Sequence, residues 1–185
     1  MTERYNRFMK NYTWVTVAMF CLRCFISGTT LITEFSAYDL YGYAGEAIAI
    51  SAVLMFAYEK KLWKYNPFEK TPVLENKYKG TLLSSYDGVE REVTLEIKQT
   101  LLSVSVIFVT GESRSKTISS SLEKIQDEWQ LTYCYLNIPK ANVRERSAIH
   151  YGTALLCVEN PKEIHGQYFT DRKTTGDMLC FTPDK

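Results

Sequence analysis

Two long apolar runs near the N-terminus constrain this chain more than any other feature. They cover residues 14–33 and 41–58, and each holds a single charged residue, Arg23 in the first and Glu46 in the second. At about 1.5 Å of helical rise per residue, each run is long enough to cross, or nearly cross, a hydrocarbon core of roughly 30 Å. Strand periodicity follows the second run. We therefore expect a membrane hairpin joined to a soluble domain.

Basic residues flank the outer ends of this predicted hairpin. Three precede the first predicted span, 15–32, and four follow the second, whereas the connector 33–42 holds only Glu34 and Asp39 as charged residues. Because positive charge favours the cytoplasmic side, both termini are predicted to be cytoplasmic. A signal peptide is disfavoured, since the first run is long and lacks a clear cleavage site.

The period of the apolar residues changes to two in the rest of the chain. Val93, Leu95 and Ile97 alternate with polar residues, and Asp87-Gly88 is a typical turn pair. The pattern predicts eight strands, at residues 77–86, 89–99, 101–110, 114–121, 129–137, 148–159, 163–171 and 176–182, with at most a short helical turn at 121–128. The predicted fold is two transmembrane helices plus an antiparallel, up-and-down, lipocalin-like β-barrel.

The predicted domains are a transmembrane hairpin at 1–65, a linker at 66–76 and a barrel at 77–185. In the last strand Asp177, Leu179 and Phe181 are predicted to share a face, and one small ligand fits inside a barrel of eight strands. A net charge of +1 disfavours binding to a nucleic-acid polymer. The five cysteines have an odd number and irregular spacing, so neither a disulfide framework nor a metal site is predicted. Without a nucleophile elbow or a P-loop, an enzyme is disfavoured.

The two charges inside the apolar runs suggest a membrane function. Arg23 would lie near the middle of the bilayer, where an arginine costs roughly 3 kcal/mol or more. Glu46 would lie about 9 Å away in depth, at six residues of helical rise, so the two are predicted to be poor partners. They are either a hydrated defect in an anchor or groups that face water or other subunits. Small residues favour close helix packing: those at 45 and 49 share a helix face with Val53, and Ala44, Ala47, Ser51 and Ala52 lie nearby.

Aromatic and basic residues share the parity of the apolar, inward-facing strand positions. Aromatic rings stack on bases, and guanidinium groups pair with phosphates. The candidate ligand-binding residues are Tyr78, Arg91, Arg114, Lys116, Trp129, Tyr133, Tyr135, His150, Tyr168, Thr170 and Arg172. Alternatively, the aromatics fill the barrel and the charges lie on its rims. That leaves open a membrane-anchored binder of a lipid or hydrophobic metabolite, with an apolar cavity, or a solidly packed scaffold that binds another protein.

The segment 166–178 begins with Gly-x-Tyr-x-Thr-x-Arg and leads through a turn into the last strand. This segment, together with two apolar runs ahead of a predicted barrel, resembles the two-transmembrane, β-strand-rich effectors of bacterial CBASS antiphage defence. The resemblance implies that a partner nucleotidyltransferase makes a cyclic di- or oligonucleotide and that the barrel binds it. It also implies self-association and disruption of the inner membrane by the hairpin, which kills the infected cell. No cofactor is implied.

Overall fold

A computed structural model describes residues 3–27 and 36–184 of the chain. It divides the chain into two compact units, Met1–Glu69 and Lys70–Lys185. The end of the predicted first span, residues 28–32, and the first part of the predicted connector, residues 33–35, lie outside the described residues.

The first unit is helical. Helix α1 spans Glu3–Ile26, helix α2 spans Ala37–Lys60, and a short 3-10 helix follows at Leu62–Tyr65. Helix α2 is about 36 Å long at 1.5 Å per residue. Among the described residues it is the one helix long and apolar enough to cross a membrane. Helix α1 begins well before residue 15, so the basic segment predicted as a flank is part of the helix.

Arg23 and Glu46 contradict the prediction that they are poor partners. The Arg23 Nε lies 2.5 Å from Glu46 Oε2, and the guanidinium carbon lies 4.5 Å from the centre of the Tyr43 ring. The predicted offset assumed a simple hairpin of two straight spans, the first at 15–32. Helix α1 is described to Ile26, so Arg23 lies in its last turn, and the long arginine side chain reaches Glu46.

The predicted small-residue face is also not the one that packs. The buried positions of α2 are Ala47, Ser51 and Met55, whereas residues 45 and 49 and Val53 are exposed. Two residues rotate a helix by about 200°, so the two sets lie on opposite faces.

The second unit is a closed barrel of eight antiparallel strands, in which each strand pairs with its neighbours in sequence and β1 pairs with β8. This confirms the predicted up-and-down barrel. The strands are β1 (Lys77–Ser84), β2 (Glu90–Gln99), β3 (Val104–Thr110), β4 (Ser113–Ile125), β5 (Glu128–Pro139), β6 (His150–Asn160), β7 (Glu163–Thr170) and β8 (Thr175–Pro183).

Alternation places the apolar residues inside the barrel, as predicted for β2, β3, β5 and β6. The inner cluster includes Leu95, Val106, Leu131, Leu156 and Ile164, all fully or almost fully buried. These side chains fill one end of the barrel. The chain enters the barrel at this closed end, where β1 begins, and Leu74 packs on the core there.

Two local predictions about the strands are wrong. Strand β4 runs through the predicted helical turn, and the β4–β5 hairpin turns at Gln126 and Asp127, both with positive φ. Two consecutive residues with positive φ are typical of a type I′ turn, whose backbone twist matches that of the two flanking strands. In β8, Met178 and Phe181 are both buried and Leu179 is partly exposed, because a register shift separates their pairings with β7. Leu179 and Phe181 therefore do not share a face.

Candidate functional site: a cavity at the open end of the barrel

The end of the barrel opposite the filled end holds a cavity of about 610 Å³. Because hairpins alternate between the two ends, its rim consists of the β1–β2, β3–β4, β5–β6 and β7–β8 connections. The volume lies within the range of roughly 300–1,000 Å³ that is usual for small-molecule sites. Seven of the predicted ligand-binding residues line it: Arg91, Tyr133, Tyr135, His150, Tyr168, Thr170 and Arg172.

Two of the tyrosine rings pack directly on glycines of the neighbouring strands. Tyr135 pairs across strands with Gly152, and Tyr168 pairs with Gly176. A Cβ at either glycine would lie 2.4 Å from the ring of its partner, so each ring occupies the space of the missing side chain. The Tyr168 hydroxyl also donates to Ser84 Oγ at 3.0 Å. The strand register therefore fixes the position of both rings.

Tyr133 and Tyr135 form an aromatic pair beneath the opening, with ring centroids 5.6 Å apart and planes tilted by 42°. Burial raises the pKa of both phenols well above the ordinary value, and the nearby Arg172 charge offsets only part of the rise in the Tyr135 pKa. Both groups are therefore neutral at cellular pH and available as hydrogen-bond donors.

Three guanidinium groups line the cavity, and two of them are already paired with carboxylates. Arg91 forms a two-pronged ion pair with Asp87, which lowers the pKa of that carboxyl to about 2. Arg146 Nη2 lies 2.5 Å from Glu112 Oε1.

Arg172 differs from these two arginines. Its Nη1 donates to the neutral Ser147 Oγ at 3.4 Å. Among the arginines that line the cavity in the described part of the chain, Arg172 is the one with no carboxylate partner. Its full charge is therefore available to an anion that enters the cavity.

Two nearly buried polar groups also face the cavity. The Nδ1–H of His150 donates to the Ala148 carbonyl at 2.9 Å, which leaves Nε2 as an acceptor in the neutral ring. Asn137, which sequence reasoning missed, is 8% exposed. It lies two residues beyond Tyr135 on the same strand parity, so the alternation that selected the tyrosines also points to Asn137.

Four predicted ligand-binding residues lie elsewhere. Tyr78 is fully buried at the closed end, where its hydroxyl donates to the Pro161 carbonyl at 2.6 Å. Trp129 packs on the core from the closed end of β5 and does not line the cavity. Arg114 and Lys116 are exposed on the outer face of the barrel, and Arg114 pairs with Glu96 at 2.9 Å.

The outward position of the two basic residues on β4 has a clear cause. Their predicted parity followed Ile118, which is an exposed apolar residue. The inward residues are Ser115 and Thr117, and a bulge between Thr117 and residue 119 then changes the parity before the buried Leu122. Beyond such a bulge, alternation restarts one residue out of phase.

Comparison with known proteins agrees with this arrangement. The family model described as "Cap15, cyclic dinucleotide receptor domain" matches residues 69–181, which include the whole cavity. A curated protein of Staphylococcus schleiferi, CD-NTase-associated protein 15, is 30% identical over 183 residues, which cover 96% of this chain and 97% of the relative. The chain belongs to the Cap15 family. The assignment to the CBASS effectors, made from the architecture and the segment 166–178, is thereby confirmed.

Within the Cap15 family the matched region is a receptor domain, and in this chain that region is the barrel with the open cavity. A receptor for a cyclic dinucleotide needs groups that stack on bases and groups that pair with phosphates. The cavity offers both kinds: the tyrosines that pack on glycines can stack on bases, and the arginines at the rim can pair with phosphates.

Proposed function

We propose that the cavity binds a cyclic dinucleotide made by a partner nucleotidyltransferase. The observation that carries the proposal is the free charge of Arg172 beside two immobilised tyrosine rings, Tyr135 and Tyr168. A dinucleotide presents two phosphates and two bases in a compact ring. In the proposed complex Arg172 pairs with a phosphate, and the tyrosines supply faces for the bases, each worth about 1–3 kcal/mol when stacked.

The second phosphate must compete for an arginine that is already paired. Arg91 is held by Asp87 and Arg146 by Glu112, and both pairs lie at the rim. Exposed pairs of this kind contribute little to stability, so a phosphate can displace the carboxylate. Binding would thus rearrange the β1–β2 turn or the β5–β6 loop. Ligand binding in the cavity would thereby change the conformation of the loops at its rim.

The polar lining favours a nucleotide over the alternative ligand, a lipid or hydrophobic metabolite. A cavity for such a ligand would be apolar throughout, whereas this one is lined by three arginines, three acidic residues, His150 and Asn137. The cavity volume of about 610 Å³ also disfavours a scaffold protein, because the barrel of such a protein was expected to be solidly packed.

We propose that the helical unit disrupts the membrane when the barrel binds its ligand. In this proposal the unit crosses the cytoplasmic (inner) membrane of a bacterium as two spans, with both termini in the cytoplasm. Helix α2 is long and apolar enough to span, and its apolar side chains, among them Ile48, Val53 and Phe56, are exposed. Ligand binding would promote self-association of the chains and disruption of the membrane, with death of the infected cell. The Arg23–Glu46 pair would stabilise the inactive hairpin and exchange partners between subunits during association.

Vesicle leakage tests the whole sequence of events. The full chain is reconstituted into vesicles that trap a fluorescent dye, and a panel of cyclic dinucleotides is added. We expect one of them to release dye from vesicles with the wild-type protein, and we expect Arg172→Ala to need a higher concentration of the same nucleotide for the same release. Residues 70–185 alone should bind the same nucleotide without releasing dye. Release that needs no nucleotide, or tight binding without release, would contradict the proposed coupling.

The membrane charges have their own test in the same assay. Glu46→Gln removes the partner of Arg23 without touching the barrel, so it should change the rate of dye release and leave nucleotide affinity unaltered. An unchanged release rate in both Glu46→Gln and Arg23→Gln would assign the pair to anchoring only.

A further inference from the structure

The outer surface of the barrel carries a cluster of mixed metal-binding side chains, away from the cavity. The Cys157 Sγ, a carboxylate oxygen of Glu159 and a ring nitrogen of His165 all lie within 4.8 Å of one another. Cys157 is half-buried and the other two are exposed. Thiol, carboxylate and imidazole are the three kinds of side chain that zinc binds in proteins.

The strand register brings these three residues together. Cys157 on β6 pairs directly with His165 on β7, and Glu159 follows Cys157 by two residues on the outer side. A register shift lies between Cys157 and Asn160, which is where Glu159 is located. Such a bulge turns a side chain away from the regular strand direction. Glu159 is thereby brought close to the other two donors.

A fourth donor approaches from the neighbouring strand. Glu128, at the start of β5, has its Oε2 3.9 Å from the Cys157 Sγ. Neither Glu128 nor Glu159 forms an ion pair with a lysine or arginine in the described part of the chain. Two carboxylates therefore flank one thiol without a compensating cation.

We propose that Cys157, Glu159 and His165 bind a zinc ion on the outer face of β6 and β7, with Glu128 as the fourth ligand. Ligand bonds of about 2.0–2.3 Å require the donor atoms of Cys157, Glu159 and His165 to approach one another by roughly an ångström, and the Glu128 carboxylate to turn toward them. The exposed Glu159 and His165 side chains can make this movement without a change in the backbone. Binding transfers the thiol proton to solvent and leaves a thiolate on the metal. The choice of zinc rests on the donor set, since thiolate with imidazole suits it better than magnesium or calcium.

A zinc ion at this position would join β5, β6 and β7 near the closed end of the barrel. The expected consequence is a barrel that is more stable with the metal than without it, because an ion bound only by the folded state stabilises that state. The nucleotide cavity lies at the other end and should be unaffected. The proposal therefore stands or falls independently of nucleotide binding.

Cobalt titration of the full chain, in detergent and under reducing conditions, tests the proposal directly. Cobalt replaces zinc and shows near-ultraviolet charge-transfer absorption only when a thiolate is a ligand. We expect this absorption to saturate at one cobalt per chain and to disappear when zinc is added. Cys157→Ser should abolish it, whereas the matched control Cys134→Ser, at a cysteine on β5 outside the cluster, should retain it.

A second variant covers the case in which Cys157→Ser fails to fold. His165→Gln changes an exposed side chain and should weaken cobalt and zinc binding by at least about tenfold, as loss of a supporting group alone already does. Zinc should raise the melting temperature of the wild-type chain and not that of His165→Gln. Wild-type protein without charge-transfer absorption, or equal absorption in Cys157→Ser, would overturn the site. Unaltered zinc affinity in His165→Gln would overturn it as well.

Discussion

Replacement of Arg172 by alanine is the perturbation that most directly probes the cavity. Arg91 and Arg146 each have a carboxylate partner, whereas the Arg172 guanidinium donates to the neutral Ser147 hydroxyl. A phosphate at Arg172 therefore gains a charge-assisted hydrogen bond without breaking an ion pair. Arg172→Ala is expected to remove more binding free energy than Arg91→Ala. In the wild-type protein a ligand gains less from Arg91, because it must first separate Arg91 from Asp87.

The size of the loss follows from this geometry. A hydrogen bond to a charged group is worth about 1.5–3 kcal/mol, and 1.4 kcal/mol is about a tenfold change in Kd, so Arg172→Ala should weaken binding by about 10- to 150-fold. Arg172→Lys keeps the charge but loses the planar fork and should recover part of the affinity.

Titration calorimetry of residues 70–185 with the activating cyclic dinucleotide measures these differences. The matched control is Arg114→Ala, which removes an exposed guanidinium from the outer face and should bind like the wild type. Binding of Arg172→Ala within twofold of the wild type, or a loss of affinity in Arg114→Ala as large as that in Arg172→Ala, would refute the role assigned to Arg172.

Three further outcomes follow from the cavity and its wall. Asp87→Asn should tighten nucleotide binding because Arg91 loses its competing partner, and calorimetry that shows equal or weaker affinity would contradict the exchange. Gly152→Ala places a methyl group 2.4 Å from the Tyr135 ring, where about 3.5–4.0 Å is normal, so it should displace the ring, cost about 1–3 kcal/mol of stability and weaken binding; a mutant crystal structure with an unmoved ring would be the contrary result. Burial raises the pKa of Tyr133, so above pH 10 the folded state keeps a proton that the unfolded state releases, and the contribution of this tyrosine to the free energy of unfolding should be constant below about pH 10 and fall above it by about 1.4 kcal/mol per pH unit. Denaturation curves at several alkaline pH values, with Tyr133→Phe as the control that should lose this contribution, check the slope.

The barrel could be predicted from the sequence because period-two alternation is a direct consequence of strand geometry. The same alternation selected Tyr133 and Tyr135, and both line the cavity. It failed in β4, where Ile118 suggested an inward face for Arg114 and Lys116, because a bulge reverses the parity and leaves an apolar residue outside. A bulge is a backbone event with no fixed residue signature.

Two other features depend on information that periodicity does not carry. Arg146 lies in the connection between β5 and β6, where no repeat relates sequence position to orientation, and its place at the rim comes from the folded loop. The Arg23–Glu46 pair depends on how the two helices are aligned along their length, which hydropathy does not give. Charges in an apolar run could be identified as unusual, but their partner could not.

Thermal unfolding of residues 70–185 with a panel of cyclic dinucleotides, and with the corresponding linear dinucleotides as controls, tests whether the barrel is a receptor for a cyclic dinucleotide. A ligand at 100 times its Kd adds about 2.7 kcal/mol to the stability of the folded state, enough to raise the melting temperature by several degrees. We expect such a rise with at least one cyclic dinucleotide, a smaller rise in Arg172→Ala, and no comparable rise with the linear controls. An unchanged melting temperature across the whole panel would contradict a cyclic dinucleotide receptor in this cavity.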